Sequence, residues 1–98
     1  MTNLQKAREI LDKLVAFPTV SRDTNLPLID WVETYLAAFG VRSHRVWNAD
    51  RTKANLYASI GPDVPGGVVL SGHTDVVPVE GQSWTHPPFA LSEADGRV

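Results

Sequence analysis

The chain has 98 residues, enough for at most one domain with a small hydrophobic core. Its formal net charge of -2 argues against nucleic-acid and membrane-surface partners, because such surfaces attract basic proteins. It contains no cysteine, which excludes disulfides and thiolate metal sites and leaves imidazole and carboxylate as metal ligands. The N-terminal segment carries charges throughout its apolar pattern and lacks the core of a signal peptide, so we expect a cytoplasmic protein.

Two helices are predicted in the first 40 residues. Apolar residues at helical spacing, with a capping box formed by Thr2 and Gln5, predict a helix over residues 3–16. A second apolar stripe begins after Pro27 and ends at Gly40, which is typical of a helix terminated by glycine. Three acidic residues on these helices are interpreted as solvated charges, namely Asp12, Asp30 and Glu33. Trp31 is interpreted as a packing residue.

After the second helix the pattern changes to that of strands. Residues 41–47 form a weakly patterned strand, and residues 55–60 alternate, with Leu56, Ala58 and Ile60 predicted on one face. Residues 68–70, Val-Val-Leu, do not alternate, which is typical of a central strand covered by helices on both faces. Helices followed by such strands indicate an α/β layer architecture.

The end of the chain predicts a β-hairpin that stops short. Residues 90–94 form a first arm, and Asp95-Gly96 suits the positive φ angles of a type I′ turn. The second arm would be only Arg97-Val98, too short for a useful ladder. We therefore expect the 98 residues to be an N-terminal part of a longer protein.

Two metal-competent side chains follow the apolar run at residues 68–70. Residues two apart in an extended segment point the same way, so His73 and Asp75 are expected to share one face at the carboxyl end of the strand. Open α/β sheets place their sites at such ends. A neutral imidazole binds zinc, and a nearby carboxylate can hold its other ring nitrogen. The alternative is a solvated turn in which neither residue binds a metal.

The segment VVLSGHTDVVPVEGQSWTHPPF, residues 68–89, resembles the first metal-ligand motif of the dinuclear zinc deacylases and exopeptidases. In that family a buried strand ends in GHTDVVP, and a W-x-x-x-P-F segment follows, here Trp84 to Phe89. The segments LVAFPTVS and KANLYASIGP also resemble the family. The resemblance implies the N-terminal part of a metal-dependent catalytic domain, a three-layer sandwich with a mixed, largely parallel central sheet.

This resemblance implies that His73 is a ligand to one of two zinc ions, with cobalt able to substitute, and that Asp75 is a non-ligating catalytic partner that orients the site. It implies a homodimer in the full-length protein and a small N-acyl amino acid as substrate. KANLYASIGP resembles most closely the members that hydrolyse N-acetylornithine to ornithine and acetate, in arginine biosynthesis. A desuccinylase, a peptidase and an inactive truncated remnant are alternatives. Since one ligand and no general base are present, we expect the 98 residues alone to be inactive.

Other candidate functional residues have structural interpretations. His44 is expected at a strand surface or edge, and the family motif does not require a histidine at His86. Trp84 and Phe89 are interpreted as hydrophobic anchors of a loop. Ser71 does not form a catalytic triad with His73 and Asp75, because residues two apart on one short segment lack the required alignment.

Overall fold

The computed structural model describes residues 1–98 as a small α/β unit. In chain order the elements are α1 (Asn3–Ala16), α2 (Leu26–Ala37), β1 (Ser43–Trp47) and β2 (Ala54–Ala58). The two strands form an antiparallel sheet in which Ser43 lies opposite Ala58 and Trp47 lies opposite Ala54. The expected three-layer sandwich with a largely parallel sheet is not shown by this structure. No helix combines the length and apolarity needed to cross a membrane.

The predicted bounds of α1 are confirmed together with its cap. The Gln5 amide donates to the Thr2 hydroxyl at 3.2 Å, and the Thr2 amide donates to Gln5 Oε1 at 2.7 Å. This reciprocal pair satisfies two amides at the start of the helix that have no intrahelical acceptor. The helix ends at Ala16, and the next residue, Phe17, has an extended ψ of 122°, because the α region is disfavoured for a residue before proline.

The small core lies where α2 meets the sheet. The buried residues are few, namely Thr19, Val20, Leu28, Ile29 and Ala54. Asn25, just before α2, accepts a hydrogen bond from the Ala54 amide at 3.1 Å and donates to the Ala54 carbonyl at 2.8 Å. These bonds attach the start of α2 to the start of β2. The alternation predicted for the second strand is confirmed at Leu56 and Ala58, which are half-buried.

That alternation stops earlier than predicted. Because β2 ends at Ala58, Ile60 lies beyond the strand and is 80 % exposed instead of facing the core. The larger correction concerns residues 68–70, which form no strand and whose side chains are 86–92 % exposed. A strand needs a neighbour for its backbone amides and carbonyls. Here β1 and β2 pair with each other, and neither lies beside residues 68–70.

The predicted turn at the end of the chain is confirmed. Asp95 and Gly96 have φ values of 54° and 72°, the positive values that a type I′ turn requires. Ala94 and Arg97 exchange two backbone hydrogen bonds of 3.0 Å. The first arm expected over residues 90–94 does not form a strand, since the two residues after the turn provide only this one bridge.

The acidic residues of α2 are not simply solvated, because both face Arg45 on β1. The Arg45 guanidinium donates through Nε and Nη2 to the two oxygens of Glu33, at 2.8 Å each, and through Nη2 to Asp30 at 2.5 Å. These bonds join α2 to β1. The hydrogen bonds from Arg45 to Glu33 lower the pKa of Glu33 below its ordinary value. Trp31 packs as predicted, half-buried and stacked on Tyr35 with ring centroids 5.4 Å apart.

Replacing Glu33 by glutamine should lower the urea midpoint of unfolding by a small amount at neutral pH. A carboxylate whose pKa is lowered by folding stabilises the fold above its unfolded pKa, and this contribution disappears as pH falls through the folded value. The difference between wild type and Glu33→Gln should therefore shrink below about pH 4. Glu9→Gln is the matched control, since Glu9 is an exposed carboxylate of α1. Equal, pH-independent shifts in both variants would contradict the interpretation.

Candidate functional site

The GHTDVVP motif is held against the segment that follows α1. Val20 and Val76 form a parallel bridge, in which the Ser21 amide donates to the Val76 carbonyl at 2.9 Å and the Val76 amide donates to the Thr19 carbonyl at 3.0 Å. The Thr19 hydroxyl also donates to the Thr74 carbonyl at 2.6 Å. Residues 74–76 are therefore fixed by residues 19–21, and two of the segments that resemble the zinc family, FPTVS and GHTDVVP, meet in space.

The structure brings His73 and Asp75 together as their spacing predicts. Nδ1 of His73 lies 2.9 Å from Oδ1 of Asp75 and 3.1 Å from the Asp75 carbonyl oxygen. Both acceptors favour the tautomer in which Nδ1 carries the proton. The His73 side chain is 83 % exposed. The geometry therefore leaves Nε2 as the nitrogen that can bind a metal.

Ser21 completes this arrangement, and sequence reasoning did not identify it. Its hydroxyl donates to Oδ2 of Asp75 at 2.7 Å, so the two carboxylate oxygens contact different partners. These hydrogen bonds, first from Ser21 and then from His73, lower the pKa of Asp75. The carboxylate stays ionised at neutral pH. The available signal was the family-like segment FPTVS, which ends at Ser21.

The chain offers one metal ligand at this place. No group of three or more His, Asp or Glu side chains lies close enough to hold an ion. His73 fits the part of one zinc ligand, because its Nδ1 has an acceptor and its Nε2 is accessible. The other two histidines are not brought to it: His44 lies exposed in β1 opposite Tyr57, and His86 is exposed in the later loop. A complete catalytic zinc site usually takes three protein ligands.

The loop after the motif is folded on itself. The Trp84 indole donates to the Val79 carbonyl at 3.0 Å, and the side-chain amide of Gln82 donates through Nε2 to the Pro78 carbonyl at 2.7 Å. Arg22 forms an ion pair of 2.6 Å with Glu80, which ties the loop to the segment after α1. Phe89 is half-buried as expected of an anchor, whereas Trp84 is 50 % exposed and is held mainly by its hydrogen bond.

Among known proteins, this chain is similar to deacetylases. Over 104 residues the chain is 33 % identical to a protein of Pasteurella multocida, covering 99 % of this chain and 27 % of the relative. Over 100 residues it is 38 % identical to a protein of Shigella sonnei, covering 92 % of this chain and 25 % of the relative. Both relatives are acetylornithine deacetylases. The chain thus spans about a quarter of the length of the curated relatives it matches.

These matches confirm the resemblance read from the motifs: the chain is similar to acetylornithine deacetylase over nearly its whole length. No family model and no solved structure matches the chain.

Proposed function

We propose that this chain provides one zinc ligand, His73, and its orienting carboxylate, Asp75, to a deacetylase that converts N-acetylornithine to ornithine and acetate. The observation that carries the proposal is the 2.9 Å contact between Nδ1 of His73 and Asp75, located within a GHTDVVP motif. The similarity of nearly the whole chain to acetylornithine deacetylases supports the choice of substrate.

The chemistry follows from the positions of three side chains. Zinc held at such a site would polarise an amide carbonyl and would lower the pKa of a bound water toward neutrality. Asp75 accepts from Nδ1 of His73, which directs the Nε2 lone pair outward and makes it a better electron donor. The Ser21 hydroxyl donates to Oδ2, the other oxygen of the Asp75 carboxylate.

A catalytic zinc site needs more than these residues, because one imidazole cannot hold a catalytic zinc. We propose that the other ligands and the general base come from sequence outside these 98 residues, in a catalytic domain with two zinc ions. We further propose that the complete protein is a cytoplasmic homodimer that accepts cobalt in place of zinc. A desuccinylase or peptidase with the same metal chemistry is the alternative, and the choice between them rests on the substrate.

The complete protein should hydrolyse N-acetylornithine faster than N-succinyl-diaminopimelate or a dipeptide. Exhaustive chelation should remove the activity, and zinc or cobalt should restore it, because the metal both activates the water and polarises the carbonyl. The measurement is initial rate with each substrate before chelation, after it and after metal is returned. Activity that survives chelation contradicts the metal mechanism, and a preference for the succinylated substrate contradicts the choice of substrate.

A further inference from the structure

The Ser21 hydroxyl is connected to the candidate ligand His73 through the Asp75 carboxylate. Its oxygen lies 2.7 Å from Oδ2 of Asp75, and Oδ1 of the same carboxylate lies 2.9 Å from Nδ1 of His73. Ser21 and Asp75 are 54 residues apart in sequence, so this contact depends on the docking of two distant segments. We propose that Ser21 is a positioning residue that fixes the Asp75 carboxylate and, through it, the tautomer and direction of His73.

The backbone around Ser21 sets the place of its hydroxyl. Its amide donates to the Val76 carbonyl at 2.9 Å, and its own carbonyl accepts a hydrogen bond from the Lys53 ammonium group. The preceding residue, Val20, is only 5 % exposed and is therefore held in the core. With both peptide groups engaged, Ser21 has little freedom beyond rotation of its own side chain. Its hydroxyl is therefore presented to Asp75 from a fixed backbone.

The exposure of the pair explains why a further hydrogen bond matters. Asp75 and His73 side chains are 56 % and 83 % exposed, so packing alone does not fix either rotamer. A carboxylate held by one partner can turn about its terminal bond, because that torsion has a broad energy profile. The second partner on Oδ2 opposes this turn, since rotation would lengthen the contacts with both Ser21 and His73. The consequence is a carboxylate with a defined oxygen for Nδ1.

Fixing that oxygen selects one form of the imidazole. When Oδ1 is available to Nδ1, the Nδ1-protonated tautomer is favoured, and Nε2 presents its lone pair. Without the Ser21 hydroxyl, Asp75 should sample other orientations, so that the Asp75 backbone carbonyl at 3.1 Å is the one acceptor left in place for Nδ1. His73 should then populate the Nε2-protonated tautomer as well. That second tautomer cannot bind a metal through Nε2. Ser21 thus affects zinc affinity without contacting the metal. The effect on the His73 tautomer stands by itself, and the effect on zinc rests on the proposed function.

The test compares side chains of equal shape at position 21 in the complete protein. Ser21→Thr keeps a hydroxyl, Ser21→Val has the shape of that threonine with a methyl group in place of the hydroxyl, and Ser21→Ala removes the hydroxyl without adding a branch. Ser71→Ala is the matched control, because it removes a hydroxyl two residues from His73 that makes no hydrogen bond to it. The first measurement is the tautomer of His73, read from the ¹⁵N chemical shifts of its imidazole in the metal-free protein.

Wild type, Ser21→Thr and Ser71→Ala should show mainly the Nδ1-protonated form, whereas Ser21→Val and Ser21→Ala should show a mixture of tautomers. The second measurement is zinc affinity by competition with a chelating dye. It should weaken about 10-fold in Ser21→Val and Ser21→Ala, the lower end of the range for groups that support a metal ligand, and recover in Ser21→Thr.

An unchanged tautomer in Ser21→Val and Ser21→Ala overturns the inference, whatever happens to zinc. The proposed function fails separately, if the wild-type protein binds no zinc or if His73→Ala binds zinc normally. The metal-free tautomer then still decides whether Ser21 positions His73, because that readout does not require a bound metal.

Discussion

His73→Ala in the complete protein should lose about one equivalent of bound zinc and reduce deacetylase turnover by more than about 100-fold, since losing only a supporting group already costs 10- to 100-fold. The substitution removes a metal-nitrogen bond, and nothing nearby can replace it. No other histidine is close, and Asp75 stays held by Ser21 through Oδ2, which leaves one oxygen and no nitrogen in place of the imidazole. The measurements are metal content of the purified protein and initial rate with N-acetylornithine.

The control for this prediction is His86→Ala. His86 lies in the same part of the chain and is exposed, and it forms no hydrogen bond or ion pair with the motif, so its loss should leave zinc and rate unchanged. Circular dichroism of both variants separates metal loss from unfolding. If His73→Ala retains full zinc and full activity, His73 is a solvent-facing turn residue, and the alternative reading of the motif is correct.

The parts of the fold predicted correctly are those that depend on near neighbours. The cap of α1 uses residues three apart, and the Asp95-Gly96 turn is decided by its own backbone angles. The apolar run at residues 68–70 looks like a buried strand by composition, but a buried strand needs partners on both sides. In this structure it has none, so the same three residues form no strand and are exposed. The apolar composition of a segment shows that it could be buried. Whether it is buried depends on the elements that pack beside it.

The same distinction separates the two halves of the candidate site. The pairing of His73 with Asp75 follows from a two-residue spacing and could be predicted. The contact of Ser21 with Asp75 depends on how residues 19–21 dock against residues 74–76. The periodicity of the sequence does not predict which distant segments dock. The pairing of Glu33 with Arg45 was missed for the same reason, since it needs α2 to pack on β1. The sequence pattern assigned Glu33 to solvent because it does not show a partner that lies on another element.

Asp75→Asn should behave differently from His73→Ala and is the sharper test of how the site is divided. The asparagine keeps an oxygen that can accept from Nδ1 of His73, so the ligand remains and zinc should still bind. Its neutral amide is a weaker acceptor than a carboxylate, and its NH₂ group cannot accept the Ser21 hydroxyl that now contacts Oδ2. We expect zinc affinity about 10- to 100-fold weaker and a lower rate at saturating zinc.

The measurement titrates zinc into metal-free Asp75→Asn and follows occupancy and turnover together. Activity should rise with zinc toward a plateau below that of wild type, whereas His73→Ala should show no such recovery. Asp23→Asn is the matched control, because it removes an exposed carboxylate two residues from Ser21 whose ion-pair contact is a 3.9 Å approach of Arg22. Complete and irreversible loss of zinc in Asp75→Asn would show that Asp75 binds the metal itself, and the assignment of His73 as ligand and Asp75 as its support would then be wrong.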